Sequence, residues 1–109
     1  MIRAAIDPGR MVFSVEGHAG YAEPGADIVC AAASMLAMTL IFRLRTLALP
    51  GEIVEEVAEK GRARVSVRPK GRRSSLFRPV FETVLQGFAL LAQQYPGYVA
   101  LHRPKGEKI

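Results

Sequence analysis

The sequence predicts an α+β fold in which one small mixed or antiparallel sheet is covered by two helices, in the order β-β-α-β-β-α-β. Three observations lead there. Two stretches alternate like hairpins around glycine turns, each is followed by a long apolar run suited to a helix, and nowhere do strands and helices alternate long enough for a doubly wound sheet. Half of the 109 residues are apolar and 23% are charged, a balance that excludes general disorder and suits one domain over 1–109.

The first hairpin is expected from Ile2 to Ile6 and from Met11 to Glu16, joined by Asp7-Pro8-Gly9, with Met11, Phe13 and Val15 alternating against Val12, Ser14 and Glu16. Gly17 to Ala26 holds Gly17, Gly20, Pro24 and Gly25, too much punctuation for either regular structure, and reads as a long loop. Asp27 is a good N-cap for a helix running to Leu49, where Pro50-Gly51 ends it. Glu52 to Lys60 has helical composition, but Ala63, Val65 and Val67 alternate with Arg64, Ser66 and Arg68. The pattern leaves helix and hairpin both open, and a second hairpin turning near Lys60-Gly61 is expected in part from the resemblance described below.

A second helix begins at Ser74 or Ser75, with Pro79 tolerated if it lies in or near the first turn. Its buried face is predicted to carry Phe77, Val80, Phe81, Val84, Leu85, Phe88, Leu91, Ala92 and Tyr95, spaced by threes and fours. Pro96-Gly97 stops it, and Tyr98 to Leu101 forms a last strand.

No charge occurs from Ile28 to Phe42, but that run is too short to span a bilayer and Arg43 and Arg45 follow, so a buried core helix rather than a membrane span is expected. The opening MIRAAIDPGR has no basic region leading into an apolar run, so no export signal is expected. A single cysteine forbids an intrachain disulfide and suits a reducing, cytoplasmic setting. The net charge of +5 is concentrated in Arg62 to Arg78 and in the tail Arg103, Lys105 and Lys108, which favours an acidic partner such as nucleic acid, the plain alternative being a solvated loop and a solvated terminus. Neither a phosphate-binding glycine loop nor a paired-cysteine zinc spacing is present, so no cofactor and no metal are expected.

One constellation carries chemistry. Cys30 falls in the first turn of the helix opened by Asp27, where unpaired backbone N–H groups favour a thiolate. Amides of Val29, Cys30 or Ala31 could face the oxyanion formed when that sulfur attacks a carbonyl. His18 stands where a strand passes into the glycine-rich loop, and the loop can fold it toward the sulfur to form a thiolate–imidazolium dyad. Asp27 has two readings, capping the helix or orienting His18. A buried, inert Cys30 is the plain alternative, since free cysteine often behaves as a small apolar side chain.

The stretch Gly17-His18-Ala19, followed by Gly25-Ala26-Asp27-Ile28-Val29-Cys30-Ala31-Ala32-Ala33-Ser34, resembles the signature of the ribosomal-processing cysteine protease family, Prp. The resemblance implies a homodimeric α+β cysteine endopeptidase that removes a short apolar N-terminal extension from the large-subunit ribosomal protein usually numbered twenty-seven. It gives His18 and Cys30 the dyad and lends Asp27 and Ser34 supporting places, with Gly17 and Ala31 beside them in the matching elements. Ser34, one helical turn beyond Cys30, could instead bond back to the Cys30 carbonyl. The competing reading is a non-catalytic ribosome- or RNA-associated module that uses the basic stretch, although few aromatic residues lie outside the expected core to stack on bases.

Overall fold

The computed structural model describes residues 1–103; the tail lysines Lys105 and Lys108 lie outside the described residues. Strands β1 (Ile2–Asp7) and β2 (Val12–Glu16) pair antiparallel, with Ile6 opposite Phe13 and Ala4 opposite Val15. Asp7 closes the turn by accepting the Arg10 N–H at 3.0 Å. Met11, expected to begin the second strand, belongs to the turn instead: its φ of 58° is left-handed, which an extended chain does not allow.

Helix α1 (Ile28–Leu47) starts at the expected cap, Asp27, and stops before the expected Leu49 because Ala48 is already extended. The second hairpin consists of β3 (Ile53–Glu59) and β4 (Arg62–Val67), turning at Lys60-Gly61 as expected. Helix α2 (Ser74–Gln94) carries Pro79 one turn deeper than the reading required. There the ring removes the N–H that would meet the Ser75 carbonyl, and packing elsewhere along α2 keeps the helix whole. Strand β5 (Val99–His102), shifted by one residue from Tyr98–Leu101, lies parallel to β1. Tyr98 stays in the turn, donating its N–H to Tyr95 O.

The sheet order is β3-β4-β2-β1-β5, mixed because of the β1–β5 pair. Only one face is buried: Ile2, Ala4, Ile6, Phe13, Ala63, Val65, Val67 and Val99 point inward, whereas Arg3, Glu16, Arg62 and His102 are exposed. Both helices cover the inward face, giving a two-layer α+β sandwich as predicted. From α2 come Phe77, Phe81, Val84, Leu85, Phe88 and Leu91, with Val80, Ala92 and Tyr95 partly buried beside them. Phe88 meets Phe13 of the sheet at 5.7 Å between ring centroids. Gly87 lets the helices approach: a Cβ there would stand 2.6 Å from Leu36 Cδ2 of α1.

Helix α1 is not buried all round. By length and composition it could cross a membrane, yet Val29, Ala33, Ala37, Leu40, Ile41 and Leu44 join the core while Ile28, Met35 and Phe42 are more than half exposed. The basic stretch also differs from its sequence reading. Arg62, Arg64 and Arg73 pair with Glu59, Glu55 and Glu52 at 3.2, 3.3 and 2.9 Å, and Lys70 Nζ donates to the Pro50 carbonyl. The acids of β3 sit across the ladder from the bases of β4, a cross-strand complementarity that a linear charge count conceals.

Candidate active site

The local sequence builds the site around the start of α1. Asp27 Oδ1 accepts the N–H groups of Val29 and Cys30 at 3.0 and 2.9 Å, which caps the helix. Its other oxygen, Oδ2, accepts the N–H groups of Tyr21 and Ala22 at 3.0 and 3.3 Å, which ties the glycine-rich loop back onto the same carboxylate. The Cys30 amide is the main cause holding the Asp27 carboxyl below its ordinary value; partial burial opposes that, and the Tyr21 and Ala22 amides reinforce it. Both oxygens are thus engaged by backbone, and capping is the role this geometry displays.

The loop is fixed at further points. Gly17, at φ +99°, donates its N–H to Gly61 O at 2.9 Å, and a Cβ on it would collide with the Met1 carbonyl. Tyr21 packs edge-on against Tyr95 and Tyr98, with centroids 5.5 and 5.2 Å away. Between these anchors Ala19 is buried, and its N–H donates to Cys30 Sγ at 3.3 Å. The sulfur is therefore half-buried beneath the loop, with a backbone donor directed at it.

His18 is exposed and stands over the β3–β4 turn. A Cβ on Gly61 would lie 3.1 Å from His18 Nε2 and 3.4 Å from Cε1, so the imidazole rests on bare glycine backbone. His18 and Cys30 line one cleft of about 930 Å³, together with Gly17, Asp27, Ala31 and Ser34. Direct contact was expected between imidazole and sulfur, but the hydrogen bond described for Sγ comes from Ala19. Ser34 is exposed toward the cleft, and the back-bond to the Cys30 carbonyl is not among the described hydrogen bonds.

The first-turn amides nominated for an oxyanion are otherwise engaged. Those of Val29 and Cys30 are held by Asp27 Oδ1, and that of Ala31 donates to Asp27 O at 3.1 Å. A helix start offers free donors only until its cap takes them, and here the cap takes those nearest the sulfur. Among the described residues no group of three or more His, Cys, Asp or Glu converges on a point that could hold a metal.

Three contributors escaped the sequence reading. Gly61 registered only as a turn residue, because nothing local announces that His18 lies on it. Ala19 contributes through its backbone, which residue identity does not reveal. Tyr21 carried a usable signal, an aromatic side chain inside an otherwise small and polar loop.

Other proteins share this architecture. A crystal structure of an essential ribosomal processing protease Prp from S. aureus, in complex with a covalently linked product peptide, matches with a TM-score of 0.79 at 20% identity, covering 95% of this chain and 100% of that one. The same protease in complex with a substrate peptide gives 0.73 at 19% identity over 95% and 100%. SMU.848 from Streptococcus mutans gives 0.68 at 29% identity over 94% and 93%. Comparison with curated proteins finds no match. The family model described as cysteine protease Prp matches residues 1–100, which takes in both hairpins, the loop over Cys30, both helices and the first half of the last strand, and by that match the chain belongs to the cysteine protease Prp family.

Proposed function

We propose that the protein is a cysteine endopeptidase that uses Cys30 as nucleophile and His18 as its acid–base partner to remove a short apolar N-terminal extension from a large-subunit ribosomal protein. The observation that carries the reading is the half-buried Cys30 sulfur in the first turn of α1, with the Ala19 amide directed at it and His18 on the same cleft. The sulfur attacks the scissile carbonyl and the imidazolium protonates the leaving amine. Water then attacks the thioester, with His18 as base, and frees the sulfur. Asp27 supports the site by holding loop and helix together, and Ser34, Gly17 and Ala31 shape the wall. The apolar lining from Ile2, Val15, Met38, Ala58 and Ala63 suits an apolar peptide. A protein of this fold from S. aureus, itself a ribosomal processing protease, is found with a covalently linked product peptide, which is in keeping with this chemistry.

In this reading residues 1–109 act as one domain in the cytoplasm without a cofactor, and two copies associate through an apolar helix face. Exposed Ile28, Met35 and Phe42 recur every seventh residue along α1 and would be covered in such a dimer. The alternative of an RNA-binding module loses support from the pairing of Arg62, Arg64 and Arg73 with glutamates. Arg68, Arg72 and Arg78 remain exposed for a weak contact with ribosomal RNA that salt would dissolve.

Substituting Cys30→Ala tests the reading: cleavage of a precursor that bears the extension should cease while the fold is kept, and Cys30→Ser should be almost as inactive. Full cleavage by either variant would contradict the nucleophile assignment.

A further inference from the structure

We propose that the backbone N–H of Ala19 is the donor that stabilises the oxyanion formed when Cys30 attacks a peptide carbonyl. The inference rests on the nucleophile reading above and adds to it the group that receives the developing charge. Elimination points to the loop. The amides nearest the sulfur on α1 are occupied, Val29 and Cys30 by Asp27 Oδ1 and Ala31 by Asp27 O, so the start of the helix has no amide left at the sulfur for a new anion. The amide that is aimed at the sulfur comes from outside the helix, the Ala19 N–H at 3.3 Å.

The chemistry requires a donor in that position. As Sγ bonds to the carbonyl carbon, the π pair moves onto oxygen, and the negative charge passes from the sulfur to an atom two bonds away. A donor that faced the thiolate needs only to reach its neighbour. When the intermediate collapses, the carbonyl re-forms, the C–N bond breaks and the amine leaves with the proton from His18. The N–H carries charge through this sequence without being consumed.

A donor of this kind helps only if it is held in place beforehand. Ala19 is 5% exposed, and the loop around it is tied by the Gly17 N–H on Gly61 O, by the Tyr21 and Ala22 amides on Asp27 Oδ2, and by the Tyr21 ring between Tyr95 and Tyr98. These ties flank Ala19 on both sides in sequence. They anchor the loop on both sides of Ala19, so that it brings a main-chain dipole to a sulfur carried by another element.

The test exploits the single cysteine. A synthetic thioester of residues 1–29 can be ligated to expressed residues 30–109 through Cys30 itself, which restores the full chain with either alanine or lactic acid at position 19. Lactic acid replaces one N–H by oxygen and leaves every side chain in place. Two probes then separate the steps: iodoacetamide reacts with the sulfur without forming an oxyanion, whereas acetyl-leucyl-leucyl-norleucinal forms a hemithioacetal that needs the same donor. In the ester chain the aldehyde should bind about a hundredfold more weakly while alkylation stays within about tenfold of the all-amide chain. Equal aldehyde binding by the two chains would overturn the Ala19 assignment and leave the nucleophile standing. Failure of iodoacetamide to modify the folded all-amide chain would overturn the nucleophile reading, and this assignment with it. If the ester chain does not fold, an all-amide chain labelled with ¹⁵N at Ala19 decides: the aldehyde should move its amide proton downfield and slow its exchange, and an unmoved resonance would refute the proposal.

Discussion

The two ends of α1 are organised around a carboxylate that accepts backbone N–H groups, yet they serve opposite ends. Beyond the last turn, Glu52 is fully buried and accepts the N–H groups of Leu49 and Lys70 at 2.7 and 2.8 Å and Arg73 Nε at 2.9 Å, while Arg73 Nη2 caps the Leu47 carbonyl. At the first turn, Asp27 is only partly buried and accepts backbone N–H groups on both oxygens, with no cation among its described contacts. The cation is the difference. With Arg73 in place, the C-terminal end is a neutral, sealed joint between α1, β3 and α2. Without one, the N-terminal end keeps an open cleft and a sulfur beside a helix terminus, where charge can still move.

The largest expected effect breaks the sealed joint. Glu52→Ala strands the Arg73 guanidinium and two part-buried amides, and should lower the melting temperature on the order of 10 °C, while the folded fraction still cleaves substrate because the cleft lies at the other end of the helix. Calorimetry with activity assayed well below the transition checks both halves. A variant as stable as the parent would mean that the joint is dispensable.

At the open end, Asp27→Asn acts differently from an ordinary cap exchange. Asparagine can keep one oxygen on the helix start, but its NH₂ would then face the Tyr21 and Ala22 amides, donor against donor. Turnover should fall about tenfold with little change in melting temperature, and Tyr21→Ala should reproduce that fall because it frees the same loop. If only the Asp27 variant lost activity, a direct role of the carboxylate toward His18 would be favoured.

A smaller effect is expected at Gly61. Gly61→Ala meets His18 Nε2 and also sits at φ +78°, whereas Gly71→Ala is strained at φ +56° with nothing within 4 Å. Both variants should lose similar stability, and Gly61→Ala alone should lose severalfold in turnover as the imidazole is lifted. Equal activities would show that the turn does not position His18.

The smallest effect is the dependence of stability on pH. Burial would raise the Glu52 pKa, but the Arg73 hydrogen bond and the Lys70 and Leu49 amides bring it down to about 2, and Asp27 is lowered as well. Both groups are lowered in the folded state, so their contributions are complete above the unfolded carboxylate range and fade as the pH drops toward the folded values. Urea midpoints should be flat in this respect from neutral pH to about 5 and decline below it, with a shallower decline in Glu52→Gln. An unchanged slope in that variant would assign the acid sensitivity elsewhere.

What the sequence made legible follows the range of the interactions involved. Turn residues and helical stripes are local, so the first hairpin, the Asp27 cap and the inward face of α2 could be read directly, whereas the second hairpin, whose first half has helical composition, rests partly on the family resemblance. Strand and helix ends moved by a residue or two where one dihedral decided, as at Met11 and Ala48. The partners of Glu52, the cross-strand pairing of Arg62 and Arg64, and the seat of His18 on Gly61 are made between residues distant in sequence or set by strand register. The residue types at the site were visible beforehand. The capture of the first-turn amides by Asp27, and the arrival of the Ala19 amide at the sulfur, emerge only when the loop is folded.

Native-state alkylation of Cys30, the only cysteine in the chain, tests the central claim most directly. The account predicts that iodoacetamide modifies the folded protein rapidly at neutral pH, that modification ends proteolysis, and that His18→Ala slows the reaction. A thiol that remains protected until the chain is unfolded in urea would contradict it and return Cys30 to the role of a buried apolar side chain.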